Sequence, residues 1–332
     1  MDFKALPKIE LHAHLTGSVT RRTLHDIWEA KHKSQQTTLE DPLVVMPEGK
    51  PDYNLKSFFP LFSSYIYELL TDVPSIQQAT TSVLQGFLED GVVYLELRTT
   101  PRATPSLTPE DYITTILDAI AAFEQTHHEM HTRLILSIDR RHDVSTAENI
   151  LALAEKYRGR VVGLDLCGDP SARPDGQISV FTPIFQRASL PLTVHFGECV
   201  ASGSPEELET LLSWHPGRLG HAICLDEESK KVIRERNLCL ELLLSCNVQA
   251  GMTQGGFANH HFGEWLACDG VKVSLGTDDV GVFGSELSDE YRLAAEHFGL
   301  DQKQICALAR QGIEAIFGGE DEKERLRQVM WI

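Results

Sequence analysis

A chain of 332 residues can hold one large domain or two ordinary ones, and 42% hydrophobic with 23% charged residues is the usage of a soluble globular protein, not of a disordered or fibrous one. Its 30 Lys and Arg face 48 Asp and Glu, a net charge of −18 that repels a phosphate backbone and argues against nucleic acid as a partner. No apolar run reaches the roughly 18 residues of a membrane helix, and the start MDFKALPKIE carries no secretory segment, so a cytosolic protein without a membrane partner is expected.

The first predicted strand is KIELHAH (8–14). Its His12 and His14 stand two apart and therefore point to the same face. Two imidazoles side by side at a strand end suit a metal; a hydrogen-bonded pair in a polar core is the alternative. The following LTGS offers Thr16, Gly17 and Ser18 as backbone and hydroxyl donors, and HAHLTGS is neither G-x-G-x-x-G nor a P-loop. Residues 15–91 are too many for one crossover and are predicted to hold helices near 20–33, 55–70 and 74–89. Between them 34–54 is rich in turn formers and reads as a mobile cover.

The second strand, VVYLELR (92–98), runs into TTPR, which sets Arg98, Thr99, Thr100, Pro101 and Arg102 at one strand end. Hydroxyls with guanidinium groups suit a phosphate; an ion pair at the rim is the alternative. A helix is predicted over 109–125, a third strand over 133–139, a helix over 146–157 and a fourth strand over 161–167. The fifth strand (190–196) carries His195, with Glu198 three residues on; a helix over 204–214 follows, with Ser204 as its N-cap. The sixth strand (217–223) carries His221, and Asp226 caps a helix over 226–236. Strands seven (238–244) and eight (271–277) lead to Asp278 and Asp279, and 285–331 reads as further helix.

Eight strand and helix units in this length predict a (β/α)₈ TIM barrel of the metal-dependent hydrolase type, a single domain over 1–332, with a doubly wound open sheet as the alternative. In a barrel, chemistry sits at the C-terminal strand ends. Each of His12, His14, His195, His221, Asp278 and Asp279 has a structural reading alone, but chance does not set them all on that rim. Imidazoles with a carboxylate suit Zn²⁺, which lowers the pKa of bound water toward about 7 and points to hydrolysis. Two-metal barrel hydrolases use a bridging Lys at the end of strand four, and VVGLDLCGDP has none, so one zinc per chain is expected. Glu198 is placed to act as a proton donor or as a helix-capping residue, and spacing does not choose between these. The seven cysteines are odd in number and scattered, with no C-x-x-C, as expected of free thiols.

HAHLTGS, GLDLCGDP, VHFGE, RLGHA, LSCN and SLGTDD, in this order, resemble the adenosine deaminase superfamily over nearly the whole chain. YLELRTTPR (94–102), LILSIDRR (134–141) and DDVGVFGSELSDEY (278–291) resemble its adenosine deaminase-like branch, which acts on N6-methyl-AMP. The resemblance implies that His12, His14, His195 and Asp278 hold zinc, that Glu198 protonates the purine N1, and that His221 orients or deprotonates the attacking water. It further implies that Asp279 meets N7, that Gly168 presents backbone to the base, and that Thr16, Thr99, Thr100, Pro101 and Arg102 surround ribose and phosphate. Asp139 contacts the nucleotide in this reading, an ion pair with Arg140 or Arg141 being its alternative. Thr16 and Tyr67 stand where the branch commonly has Asn and His, and the side chains of both are able to hydrogen-bond. The implied activity is conversion of N6-methyl-AMP to IMP by a monomer; adenosine deamination and a non-catalytic purine-binding barrel are the alternatives. The H-x-E and P-C-x-x-C type of zinc deaminase is excluded, since no C-x-x-C exists.

Overall fold

The predicted apolar runs become eight parallel strands in the structure, a computed structural model that describes residues 1–47, 55–268 and 270–332. They are β1 (Lys8–His14), β2 (Val92–Thr99), β3 (His131–Asp139), β4 (Val161–Cys167), β5 (Leu192–Phe196), β6 (Arg218–His221), β7 (Cys239–Leu242) and β8 (Lys272–Leu275). Each pairs with the next in chain order, as in a (β/α)₈ barrel. Every residue of β4 is buried, the mark of a strand covered on both faces.

The ring closes just beyond β8. The Asp278 N–H donates to the His12 carbonyl at 2.8 Å, and the His14 N–H donates to the Asp278 carbonyl at 2.9 Å. The seam is thus sewn by the backbone of three residues whose side chains carry the predicted chemistry. Asp278 reaches it with φ +60°, as His221 and Ala222 reach theirs with +63° and +55°. Left-handed backbone at residues with a Cβ costs free energy and persists only where the surroundings over-determine it.

Helices cover the strands as expected. Pro109–Glu124 starts at a Thr108–Asp111 capping box and lays Tyr112, Ile116, Ile120 and Phe123 on the barrel. Ser204 and Asp226 cap Pro205–Leu212 and Glu227–Arg236, their side chains accepting from the Glu207 and Ser229 N–H groups. In the insertion, Arg21–Lys33 and Val73–Glu89 form as predicted, but 55–70 is not one regular helix. It runs as an α-helix over Leu55–Leu61, widens to a π-turn over Phe62–Ile66 and tightens again over Tyr67–Leu69. Pro60, inside the first piece, lacks the N–H that would bond back one turn, and the ladder adjusts around it. Of the predicted cover, residues 48–54 lie outside the described residues, and Pro42–Val45 forms a short helix capped by Asp41. The C-terminal stretch is Leu287–Phe298, Gln302–Gln311 and Glu320–Val329. Among the described residues no helix is long and apolar enough to cross a membrane.

Candidate active site

The lower barrel interior is ionic. The Arg98 guanidinium from β2 is fully buried, 3.2 Å from Asp165 of β4, paired with Glu241 of β7, and donates to the Leu11 carbonyl at 2.9 Å. Arg218 of β6 bridges Glu96 and Glu241, each at 2.6 Å. Burial alone would raise the Glu241 and Asp165 carboxyls. The Arg98 charge is the largest influence that outweighs it, joined by Arg218 and His12 at Glu241 and by His195 at Asp165, and holds both well below the usual carboxylate range. These anions then orient the layer above. His12 Nδ1 meets Glu241 at 2.7 Å and His195 Nδ1 meets Asp165 at 3.2 Å, so both rings turn Nε2 toward the mouth.

There the predicted ligands converge. Nε2 of His14 and of His195 are 3.1 Å apart, and Asp278 Oδ1 is 3.4 Å from Nε2 of both His12 and His14. One donor atom each from His12, His14, His195 and Asp278 lies within 4.8 Å of all the others. His12 Nε2 is buried with no hydrogen-bond partner among the described residues. Lone pairs crowded this closely beside an orphaned nitrogen suit a cation, and three imidazoles with a carboxylate are a zinc-type donor set. Burial opposes ionisation of Asp278, but the His12 imidazole 3.4 Å away and the charges of His221 and His14 outweigh it and hold the carboxyl well below its usual range.

Above the donor set lies a cavity of about 580 Å³, open space at its mouth included. Glu198, His221, Asp279, Thr16, Thr99, Thr100, Asp139 and Gly168 all line it, so most of the predicted substrate residues are brought together. Burial, with the Asp278 charge adding to it, pushes the Glu198 carboxyl up to about 7. Burial and the charges of Asp278 and Glu198 push Asp279 well above the carboxylate range. Its carboxyl fits because residue 17 is glycine: a Cβ there would stand 1.4 Å from Asp279 Oδ1. Gly168, at φ +96°, makes the same room for Asp139, whose Oδ1 would lie 2.4 Å from such a Cβ.

Two expected phosphate contacts are placed elsewhere. Pro101 and Arg102 are not among the residues that line the cavity. The Arg102 guanidinium is 4.2 Å from the Tyr67 ring centroid and 4.5 Å from that of Tyr112, and it donates to Tyr112 Oη at 2.9 Å and the Leu70 carbonyl at 3.0 Å. Stacking and hydrogen bonding let the planar cation fasten the insertion. Arg98 is likewise spent in the interior pairs. Arg98 still reaches the cavity wall, and the other cation of that lining is Arg141, whose Nε donates to Asp139 Oδ1 at 2.9 Å and Nη2 to Oδ2 at 2.5 Å. The Asp139–Arg141 pair thus forms inside the site.

Sequence reasoning missed Asp165 and Glu241, although each is a lone acid inside an otherwise apolar strand, VVGLDLC or LCLELLL, and that is their signal. It missed Arg141 as a lining cation, and Phe59 and Phe62 of the insertion, which line the cavity too.

The chain matches the family described as adenosine deaminase over residues 7–330. It is similar to N6-methyl-AMP deaminase of Homo sapiens, with 34% identity over 341 residues that cover 98% of this chain and 93% of the relative. The solved structure of Arabidopsis N6-mAMP deaminase MAPDA resembles it with a TM-score of 0.90 and 32% identity, covering 98% of each chain. That of Arabidopsis ADAL complexed with IMP gives 0.90 and 32%, covering 98% of this chain and 96% of the other.

Proposed function

The chain belongs to the adenosine deaminase family, and on that premise we propose that it hydrolyses the C6 amine of a purine nucleotide, N6-methyl-AMP and water giving IMP and methylamine. The observation that carries this reading is the juxtaposition at the barrel mouth of a zinc-type donor set with two buried acids, Glu198 and Asp279. His12, His14, His195 and Asp278 would hold one zinc per chain, which when bound would supply a Lewis acid able to lower the pKa of water toward about 7. The protein's own groups do the rest. Glu198 bears a proton near neutrality and gives it to N1 as attack at C6 puts negative charge on the ring. Asp279, kept neutral, donates to the N7 lone pair. The Gly168 backbone faces the base, and Thr16, Thr99, Thr100 and Asp139 line the ribose and phosphate end. Arg141 supplies the cation there, and Arg102 acts from behind by fixing Tyr67.

The named substrates of the relatives support this reading, as does the IMP bound to one of them. The test is to incubate purified protein with AMP, N6-methyl-AMP, adenosine and N6-methyladenosine and to identify products by mass. Release of IMP and methylamine from N6-methyl-AMP, with the nucleosides turned over more slowly, is expected. Equal efficiency on N6-methyl-AMP and N6-methyladenosine would overturn the nucleotide assignment and favour an adenosine deaminase.

A further inference from the structure

His221 faces the cavity with Nε2, 4.0 Å from Glu198 Oε1 and 3.9 Å from Asp278 Oδ2, and that nitrogen has no hydrogen-bond partner among the described residues. Whether it acts as an acceptor or a donor depends on its tautomer, and the structure decides this from three steps away. The Phe262 backbone N–H lies 3.0 Å from His260 Nδ1. A backbone N–H can only donate, so His260 Nδ1 is bare and its proton sits on Nε2. His260 Nε2 is 3.1 Å from Asn247 Oδ1 and donates to it. The Asn247 amide nitrogen therefore turns to His221 Nδ1, 3.0 Å away, and donates. Its second hydrogen points toward Met252 Sδ at 3.6 Å. His221 Nδ1 is then an acceptor, and the ring proton sits on Nε2.

We propose that Asn247 and His260 are positioning residues that lock His221 as a neutral imidazole with Nε2–H aimed at the attacking oxygen, so that His221 holds the nucleophile by donation and removes no proton from it. The proton that water loses on adding to C6 then passes to a carboxylate, and Asp278 Oδ2 is the one beside His221 Nε2. All three residues of the relay are buried, so water does not compete for its hydrogen bonds. The His221 carbonyl accepts from His261 Nε2 at 2.6 Å, which fixes the backbone of the ring in place. This inference rests on the deaminase reading for its chemistry but not for its geometry.

The test reads the tautomer directly, in the zinc-loaded full chain labelled with ¹⁵N-histidine, with His221 assigned from the resonances lost in His221→Gln. Long-range ¹H–¹⁵N correlations are expected to show a protonated Nε2 and a bare Nδ1. A protonated Nδ1 would overturn the proposal whether or not the protein turns over any purine. In Asn247→Asp the carboxylate accepts from both rings, so His221 Nδ1 should gain a proton. A misdirected catalytic imidazole costs orders of magnitude, so kcat for N6-methyl-AMP should fall roughly 10²-fold or more while KM stays within about threefold. Zinc content should not change. His260→Gln keeps an acceptor for Phe262 N–H and a donor for Asn247, and should hold kcat within about threefold; His260→Glu, an acceptor at both ends, should fall as Asn247→Asp does. Equal losses in His260→Gln and His260→Glu would show that packing, not hydrogen-bond direction, matters.

Discussion

Glu198 and Asp279 are carboxyls that burial and neighbouring negative charge keep protonated where an exposed acid is ionised. For Glu198 this sets a pH dependence with a definite sign. The acid must bear its proton to serve N1, and with a pKa of about 7 the active fraction shrinks as the pH rises through that value. The alkaline fall of kcat/KM for N6-methyl-AMP should therefore report Glu198. In Glu198→Gln turnover should drop by about 10²–10⁴-fold, the usual share of positioned acid catalysis, with zinc retained by elemental analysis. Loss of zinc in that variant would make Glu198 a ligand. Arg141 sets a second test at this scale. If it is the phosphate's cation, Arg141→Ala should raise KM for the nucleotide at least about tenfold while leaving slow nucleoside turnover nearly unchanged, because the contact is remote from the reacting ring. A preference for the nucleotide that survives Arg141→Ala would remove it from that role.

Among the elements, the strands were the most legible, since eight short runs of β-branched and aliphatic residues fall where eight strands lie. Their C-terminal ends differ from the reading by up to two residues, as expected where chain leaves the ladder for a loop. The helix at 55–70 was less legible, because periodicity does not reveal how a ladder rearranges around Pro60. Of the candidate site, the histidines of the possible metal site showed as polar residues at strand ends, whereas the pairing of His12 with Glu241 joins residues far apart in sequence and leaves no local pattern. The contacts of Arg102 left no local pattern for a related reason: its partners Tyr67 and Leu70 belong to the insertion, and only the fold brings them to β2. Arg102→Ala should accordingly loosen that insertion, exposing 55–70 to limited proteolysis while the preference for the nucleotide persists. The helix Leu287–Phe298 carries its own prediction. Its buried Glu290 accepts from the Ser245 N–H at 3.1 Å and from Ser285 Oγ at 2.6 Å, and burial pushes its pKa up to about 7 from 4.5. Between those values the folded protein binds more proton than the unfolded chain, so stability falls as pH rises through that window. Glu290→Gln should flatten the fall, by at most on the order of 3 kcal/mol at the upper end, as read from denaturant midpoints at several pH values.

For the whole molecule, one zinc would join β1, β5 and the turn after β8, elements that the chain separates widely. Protein prepared without added metal should hold close to one equivalent of zinc, and its removal by a chelator should lower the melting temperature, since a ligand that binds only the folded state adds its binding free energy to stability. Two equivalents, or an unchanged melting temperature, would sink the mononuclear site. The seam at Asp278 carries a further consequence for how the protein is made. Its two hydrogen bonds join the first strand to residues near the end of the chain, so a ring begun at β1 stays open until residue 278 has left the ribosome. At translation speeds of about 5–20 residues per second that wait lasts on the order of tens of seconds. Throughout it β1 offers an unpaired edge, and a nascent chain stopped anywhere before Asp278 lacks both its closure and the carboxylate of the candidate metal site.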